Sequence, residues 1–511
     1  MVFRNASGIA ACILFLVTLM AGPTLDAQEP GNPVTYIIRN VEFKVDGITR
    51  QFALRNAAGI KEGTRLTGKN ALDAYISDRT QVLVNQRVLE SSRIETIMDE
   101  PDKTGTVNVD LIVYAKDTWN IIALPYGKFD SNTGLELTLK ARDYNFLGTM
   151  QALRFDLGYE IDSAPLGKQD WAEGAFVMEI DSNTPLRFFN LDWNADFDHV
   201  LSYSSSYGTA YENKTGLSLS VPLASTTLTV GAYQGVSINE ENGEDFKAQF
   251  GDRYEGYWYL SNWLEAKWNI PTGISIGNFG ELAYIPSAEI RNNYRPGGDI
   301  GEERQGPVIS FAHELSFGRV DWIGNFRKGM TATVTNGFSL NAYTATWNRN
   351  VGASVSGYLP FNSHFDLSAR LAGDVYFDKP NSQAGSALRG ILDRSVVAEQ
   401  SLFLNTDMTF SILRFMPSEW FGQRWMRLFN FEQQWTPFFD CGLVSDPENH
   451  TSFAFDDALM SGGLEIVTFP LFMRSLYVRI SVGFDLKSMF GDVVIPEGEG
   501  REIFVGLGHH Y

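Results

Sequence analysis

The sequence predicts an all-β transmembrane β-barrel of about 16 antiparallel strands, preceded by a small α+β domain. Three observations carry this fold class. From Trp119 to Tyr511 one segment after another is apolar on one parity and polar or small on the other, the period of a strand with two unlike faces. Clusters of Gly, Asn, Asp, Ser and Pro separate those segments, in a chain with 47 Gly and 13% aromatic residues. Beyond the amino-terminal segment there is no run of roughly 18 apolar residues, so a membrane-resident chain of this sequence is not a helical bundle.

Composition removes several function classes. The 511 residues hold 61 Asp and Glu against 41 Lys and Arg, a formal net charge of −20 that repels nucleic acid. With 2 Cys and 6 His, neither a disulfide framework nor a Cys/His metal cluster can be assembled, and no metal or cofactor is expected. His313-Glu314 opens an HExxH pattern, but Phe317 stands where the second histidine belongs. Neither a phosphate-binding GxxxxGK[ST] loop nor a GxSxG elbow occurs, so the chain is read as a non-enzyme.

The chain begins with Arg4, an apolar run from Ile13 to Met20, then small and polar residues. The run is too short to span a bilayer, so residues 1–27 are predicted to be a secretory signal cleaved near Ala27. That removes Cys12 and leaves Cys441 as a lone packing residue.

Residues 34–117 form a separate unit. Val34 to Val45 alternates as a strand, and Arg50 to Ile60 reads as a short helix ending at Gly59. After the turn KEGTRLT, Leu72, Tyr75, Ile76, Val82 and Leu83 recur at helical spacing. Ser91 to Glu100 and Gly105 to Asp117 close the unit as strands, giving the order βααββ. That order, the short helix before Gly63-Thr64, the longer helix running into Val88-Leu89, and the terminal strand from Val107 to Val113 resemble a polypeptide-transport-associated (POTRA) domain.

In the long region, Leu135, Leu137, Leu139 and Ala141 oppose Glu136, Thr138 and Lys140, and Leu217, Leu219, Val221 and Leu223 oppose Ser218 and Ser220. Leu476, Val478, Ile480, Val482 and Phe484 likewise oppose Tyr477, Arg479, Ser481 and Gly483. A polar second face sustained this long fits lipid outside and water within. At roughly 24 residues per strand with its share of loop, residues 119–511 make about 16 strands, closed because lipid satisfies no open edge. The acidic stretches Asn239 to Lys247, Arg295 to Gly306 and Pro496 to Glu502 are assigned to solvated loops. The end of the chain alternates again, with Ile503, Val505, Leu507 and Tyr511 against Gly506, Gly508 and His510.

This terminal strand resembles the C-terminal signal of outer-membrane barrels, and three further segments resemble the BamA/TamA-type outer-membrane assembly superfamily. Asp143-Tyr144-Asn145-Phe146-Leu147-Gly148 is similar to the family's opening hairpin. Leu388-Arg389-Gly390-Ile391 is similar to its Val-Arg-Gly-aromatic lumen loop, with Ile391 in place of the aromatic. Phe438-Phe439-Asp440-Cys441-Gly442 is similar to the Phe-x-Asp-x-Gly strand facing that loop. On the strand parity Phe439 and Cys441 point outward and Asp440 inward, where a carboxylate wants a bidentate guanidinium, and Arg389 is the expected partner.

The resemblance implies a single-POTRA protein of the outer membrane, with that domain in the periplasm. It would insert β-barrel proteins into the membrane or translocate proteins across it. Its partners would be the lipid bilayer, unfolded clients added as a strand to the POTRA sheet edge, and periplasmic assembly factors. A seam would lie between the strand at Gly134–Arg142 and the strand from Ile503 to Tyr511, weakened by Gly506 and Gly508. Two other readings stand beside it: a passive pore or structural surface barrel, and a secretion pore dedicated to one partner protein.

Overall fold

A computed structural model describes residues 34–132, 134–161, 174–189, 191–205, 208–239, 257–275, 280–445, 453–490 and 500–507. The expected signal segment, most of the Asn239 to Lys247 insertion, and Gly508 to Tyr511 lie outside the described residues. No helix among the described residues is long and apolar enough to cross a membrane.

The amino-terminal domain is a sheet with two helices on one face. It runs β1 (Thr35–Asp46), α1 (Gln51–Ala58), β2 (Arg65–Thr67), α2 (Lys69–Val84), β3 (Leu89–Met98) and β4 (Thr106–Asp117). The sheet order is β2-β1-β4-β3, with β1 parallel to β4 and the other pairs antiparallel. Inward residues of β1 and β4, among them Ile38, Val41, Phe43, Val109, Leu111 and Val113, pack on Leu54, Ala58, Leu72 and Leu83 of the helices. Gly59 ends α1 in the left-handed region (φ 61°), its N–H returning to the Arg55 carbonyl, as the sequence indicated. The order differs from βααββ by β2, three residues inside the supposed KEGTRLT turn that pair with Thr35–Ile37. A segment that short shows no alternation. The second helix also stops at Val84, short of Val88.

The remaining strands close on themselves as an antiparallel barrel. They are β5 (Ile121–Asp130), β6 (Gly134–Asp143), β7 (Leu153–Ile161), β8 (Ala175–Phe188), β9 (Leu191–Ser204), β10 (Gly208–Leu223), β11 (Thr226–Ile238), β12 (Trp258–Ser275) and β13 (Glu281–Tyr294). They continue as β14 (Val308–Ile323), β15 (Phe326–Asn341), β16 (Thr346–Pro360), β17 (Phe365–Tyr376), β18 (Gln400–Phe415), β19 (Phe431–Ser445), β20 (Leu459–Pro470), β21 (Val478–Asp485) and β22 (Arg501–Leu507). Among the described residues the ring therefore has 18 strands, not about 16. The allowance of residues per strand was too generous, because hairpins such as β10–β11 and β14–β15 turn on Ala224-Ser225 and Gly324-Asn325 alone.

The wall is inverted relative to a water-soluble fold. Leu217, Leu264, Phe311, Leu315, Val334, Leu404 and Met408 are exposed on the outside, while Thr138, Ser218, Ser368, Asn405, Asp407, Asp440, Glu465 and Arg479 are buried inside. The amino-terminal domain sits at the rim where β5 begins, here called the near rim. Residues 377–399, between β17 and β18 at the far rim, fold back into the lumen, where Ala384, Leu388, Ile391, Val396 and Ala398 pack on Phe403 and Val444 of the wall.

Candidate functional site: the lumen loop, the seam and the domain junction

The alternation of β19 exposes Phe439 and sends Asp440 inward, where it is 0% exposed. Arg389 of the lumen loop meets it with two parallel bonds, Nε to Oδ2 at 3.0 Å and Nη2 to Oδ1 at 2.8 Å, while the Arg389 backbone N–H donates to Oδ2 at 3.0 Å. The neighbouring strand β18 adds Asp407, whose Oδ1 lies 2.7 Å from Nη2. The guanidinium also stacks over the Phe438 ring, 3.9 Å from its centroid. Asn405 of β18 donates to the Ala387 carbonyl at 2.8 Å, so the wall holds the loop backbone as well. A rigid planar cation held by two carboxylates and a ring fixes both position and orientation, which a lysine could not reproduce.

The loop tip continues toward the seam. Gly390 has φ 94°, and a Cβ there would fall on the backbone of Gly483 and Phe484 in β21, so glycine is what allows the approach. Its N–H donates to Glu502 Oε2 of β22 at 2.7 Å. Asn132, in the turn after β5, donates to Glu502 Oε1 at 3.1 Å and accepts from the Asp393 N–H at 2.8 Å. One carboxylate thus ties the loop tip to the turn on the other side of the seam. Beside it, Arg479 of β21 pairs with Glu465 at 3.2 Å and lies over the Phe504 ring at 4.0 Å.

Sequence reasoning missed Glu502, Asn132 and Asp407. Glu502 had been placed in a solvated loop, whereas Arg501 and Glu502 begin β22. Carrying the terminal alternation one residue upstream would have turned Glu502 inward, on the parity of Phe504 and Gly506. Nothing local marks Asn132 or Asp407, whose roles depend on pairing between distant strands.

The seam itself needs correction. The first barrel strand is β5, not the Gly134–Arg142 segment, which is β6. Ile121–Asp130 was passed over because Pro125 and Gly127 interrupt its pattern. Among the described residues β22 pairs with β5 only through Phe504 with Asp130 and Val505 with Phe129, whereas its other side pairs with β21 from Arg501 to Leu507. Ser131 extends the junction, its N–H donating to the Ile503 carbonyl at 3.2 Å. A Cβ on Gly506 would strike the Tyr126 hydroxyl of β5 and the Phe504 ring, so a larger residue here would have to displace both side chains. Gly508 and Tyr511 lie outside the described residues.

The Asp143 to Gly148 motif joins β6 to β7 at the near rim and fastens the barrel to the amino-terminal domain. Asp143 accepts the Asn145 N–H at 3.0 Å. The fully buried Asn145 donates to Thr49 Oγ1 at 2.7 Å and Asp117 Oδ2 at 3.2 Å, and accepts the Met150 N–H at 2.8 Å. Phe146 caps the turn through its carbonyl, which accepts the Thr149 hydroxyl at 2.7 Å. The Gly148 carbonyl accepts the Arg50 N–H at 2.8 Å, and a Cβ on Gly148 would hit the Ile48 carbonyl.

A second attachment lies across the mouth. Asn85, after α2, donates to Asp321 at 2.8 Å and accepts the Trp322 N–H at 2.9 Å; Gln81 donates to the Trp322 carbonyl at 3.0 Å, and Arg319 pairs with Asp78. Arg87 stacks over the Trp322 ring at 4.3 Å and donates to Asn325 at 3.2 Å, while burial pushes its pKa down to about 10. The β6–β7 and β14–β15 turns are eight strands apart one way round the ring and ten the other. The domain therefore spans the near mouth.

No family model matches the chain, and no curated protein matches it. Solved structures that align over most of it include CdiB from Acinetobacter baumannii, with 10% identity and a TM-score of 0.48 over 92% of this chain and 73% of that one. CdiB from Escherichia coli aligns with 11% identity and a TM-score of 0.40 over 96% and 94%. BamA from Haemophilus ducreyi lacking POTRA domains 1–3 aligns with 12% identity and a TM-score of 0.38 over 94% and 85%.

Proposed function

We propose that this chain is an outer-membrane barrel of the BamA/TamA type that inserts β-barrel proteins into the outer membrane or moves proteins across it. Its amino-terminal domain would act as a single POTRA unit in the periplasm. The observation that carries the reading is the lumen loop. Arg389 is clamped by Asp440 and Asp407, and the same loop's tip reaches Glu502 and Asn132 on the two sides of a junction that has two strand pairs among the described residues. A barrel whose ring stays shut has no use for a loop that braces its weakest join. A passive pore has no need of a domain seated over one mouth.

Clients would reach the protein through β3, which pairs only with β4 among the described residues and so leaves an edge for strand addition. No nucleotide is required, because folding into lipid is itself downhill. The test is depletion of the protein followed by quantification of the outer-membrane proteins. Loss of many barrels fits an insertase, loss of one exported protein fits a dedicated secretion pore, and an unchanged profile removes both. In the complemented strain, Arg389→Ala should insert normally yet reproduce the depletion profile.

A further inference from the structure

We infer that residues 416–430 form an interfacial anchor that seats on the phospholipid headgroups of the near-rim leaflet. This inference rests on the barrel reading. The segment connects β18 to β19 at the rim where the β10–β11 and β14–β15 hairpins turn on two residues. It is built as α3 (Pro417–Phe421) followed by a 3₁₀ turn, Arg424–Phe429.

Its surface is unlike that of a solvated connection. Trp420 (62% exposed), Phe421, Trp425, Leu428 and Phe429 all stand open. A connection in water has no reason to present five large apolar side chains together. They continue the lipid-facing wall below them. Trp420 packs edge-on against Phe415 at the end of β18, with centroids 4.9 Å apart, and Phe415 in turn lies 5.3 Å from Phe431 at the start of β19. Ile412, Leu413 and Trp435 carry the exposed apolar band up those strands.

The charge fits the same occupant. In a chain of net charge −20, residues 416–430 carry two exposed basic residues, Arg424 and Arg427, and one carboxylate, Glu419; both arginines also line a cleft shared with Glu90 of the amino-terminal domain. Aromatic rings with neighbouring guanidiniums are the composition of a bilayer interface, where the rings lie at headgroup depth and the cations reach phosphate. The segment is held in place without lipid: Asn430 donates to the Ser418 hydroxyl at 2.7 Å, and its carbonyl accepts the Leu471 N–H at 2.9 Å. The 471–477 turn then reaches the amino-terminal domain, the Phe472 carbonyl accepting from Thr118 at 3.2 Å. The anchor therefore sets the depth of both the barrel and its domain junction.

The experiment uses the full chain with Cys12 and Cys441 replaced by serine, carrying a single cysteine labelled with an environment-sensitive fluorophore. The protein is reconstituted in vesicles of phosphatidylethanolamine and phosphatidylglycerol. A label at Leu428→Cys should be quenched by lipids carrying a headgroup-level nitroxide, as a label at Leu264→Cys on β12 is quenched by acyl-chain nitroxide. A label at Ile97→Cys, on the exposed edge of β3, should respond only to an aqueous quencher. Arg424→Gln with Arg427→Gln should lower the ratio of lipid to aqueous quenching at position 428, by up to about 25-fold at roughly fivefold per basic residue on an anionic surface. If Leu428→Cys behaves like Ile97→Cys while Leu264→Cys is still quenched by lipid, the anchor is wrong and its apolar face serves a protein partner instead. If Leu264→Cys is not quenched by lipid, the barrel reading itself fails.

Discussion

A guanidinium shared by Asp440 and Asp407 cannot be removed without leaving two carboxylates facing one another inside the wall. Arg389→Ala should therefore weaken the seat of the loop by about 3–5 kcal/mol. The readout is a lower temperature at which the folded barrel loses its fast gel migration, together with new proteolysis between residues 381 and 398. Arg389→Lys should recover little, since an ammonium cannot bond both oxygens of Asp440. Glu502→Ala should loosen the loop tip and the seam together, whereas Glu502→Gln keeps an acceptor for Gly390 and should do less harm. Near the domain's other end, Asp102 accepts from the Thr104 hydroxyl at 2.6 Å and from the Thr106 and Thr104 N–H groups at 2.8 Å. The hydroxyl first, then the amides, hold its carboxyl below the usual range. A carboxyl depressed by folding adds stability that is complete above its unfolded pKa and disappears as pH falls through the folded one. Hydrogen exchange of the β3–β4 turn, corrected for intrinsic rates, should accelerate in that acid window, and Asp102→Asn should abolish the dependence.

Single strands raise a different question, which is how firmly neighbours hold. Phe129→Cys with Val505→Cys, at a β5–β22 pair, should form a disulfide in the Cys441→Ser background and block client assembly until reduced. Full activity with the bridge intact would exclude lateral opening there. The same elements show what could be read in advance. Alternation in β6, β10 and β21 was legible because one face meets lipid and the other water, so side-chain polarity reports direction residue by residue. β5 was hidden because Pro125 and Gly127 break that report, and β2 because three residues carry no period. The Arg389–Asp440 pair was legible through strand parity and family likeness. Glu502, Asn132 and Asp407 were not, since their meeting is set by which strands close the ring and how far the loop reaches inward. A count near 16 came from assuming average hairpins, and the two-residue turns overturned it.

For the molecule as a whole, a ring of this size encloses a lumen too wide for its own side chains to fill, the regime in which open barrels conduct ions. The folded-back loop and the domain across the mouth are what stand in the way. Asn85→Ala with Arg87→Ala weakens the attachment at the β14–β15 turn, leaving Gln81 on Trp322 and Arg319 on Asp78, and should raise single-channel conductance in planar bilayers several-fold. Deleting residues 381–398 should raise it further. Variants as silent as the parent would mean that neither element obstructs the pore.

The attachments of that domain at the β6–β7 and β14–β15 turns are unequal, and a third contact lies where Thr118 meets Phe472 of the β20–β21 turn. Beside β6–β7, Asn145 is sealed from water among Thr49, Asp117 and Met150; across the opening, Asn85, Gln81 and Arg319 bond at a partly wetted surface. Water can compete for those three residues and not for the first set, so the β14–β15 side, with Arg87 as its most buried tie, should release before the side that adjoins β5, and the domain would then swing like a door hinged there. Because β5 follows β4 directly in the chain, that swing applies leverage to one lip of the seam: a peptide pulling on the domain from below would be prying at the wall.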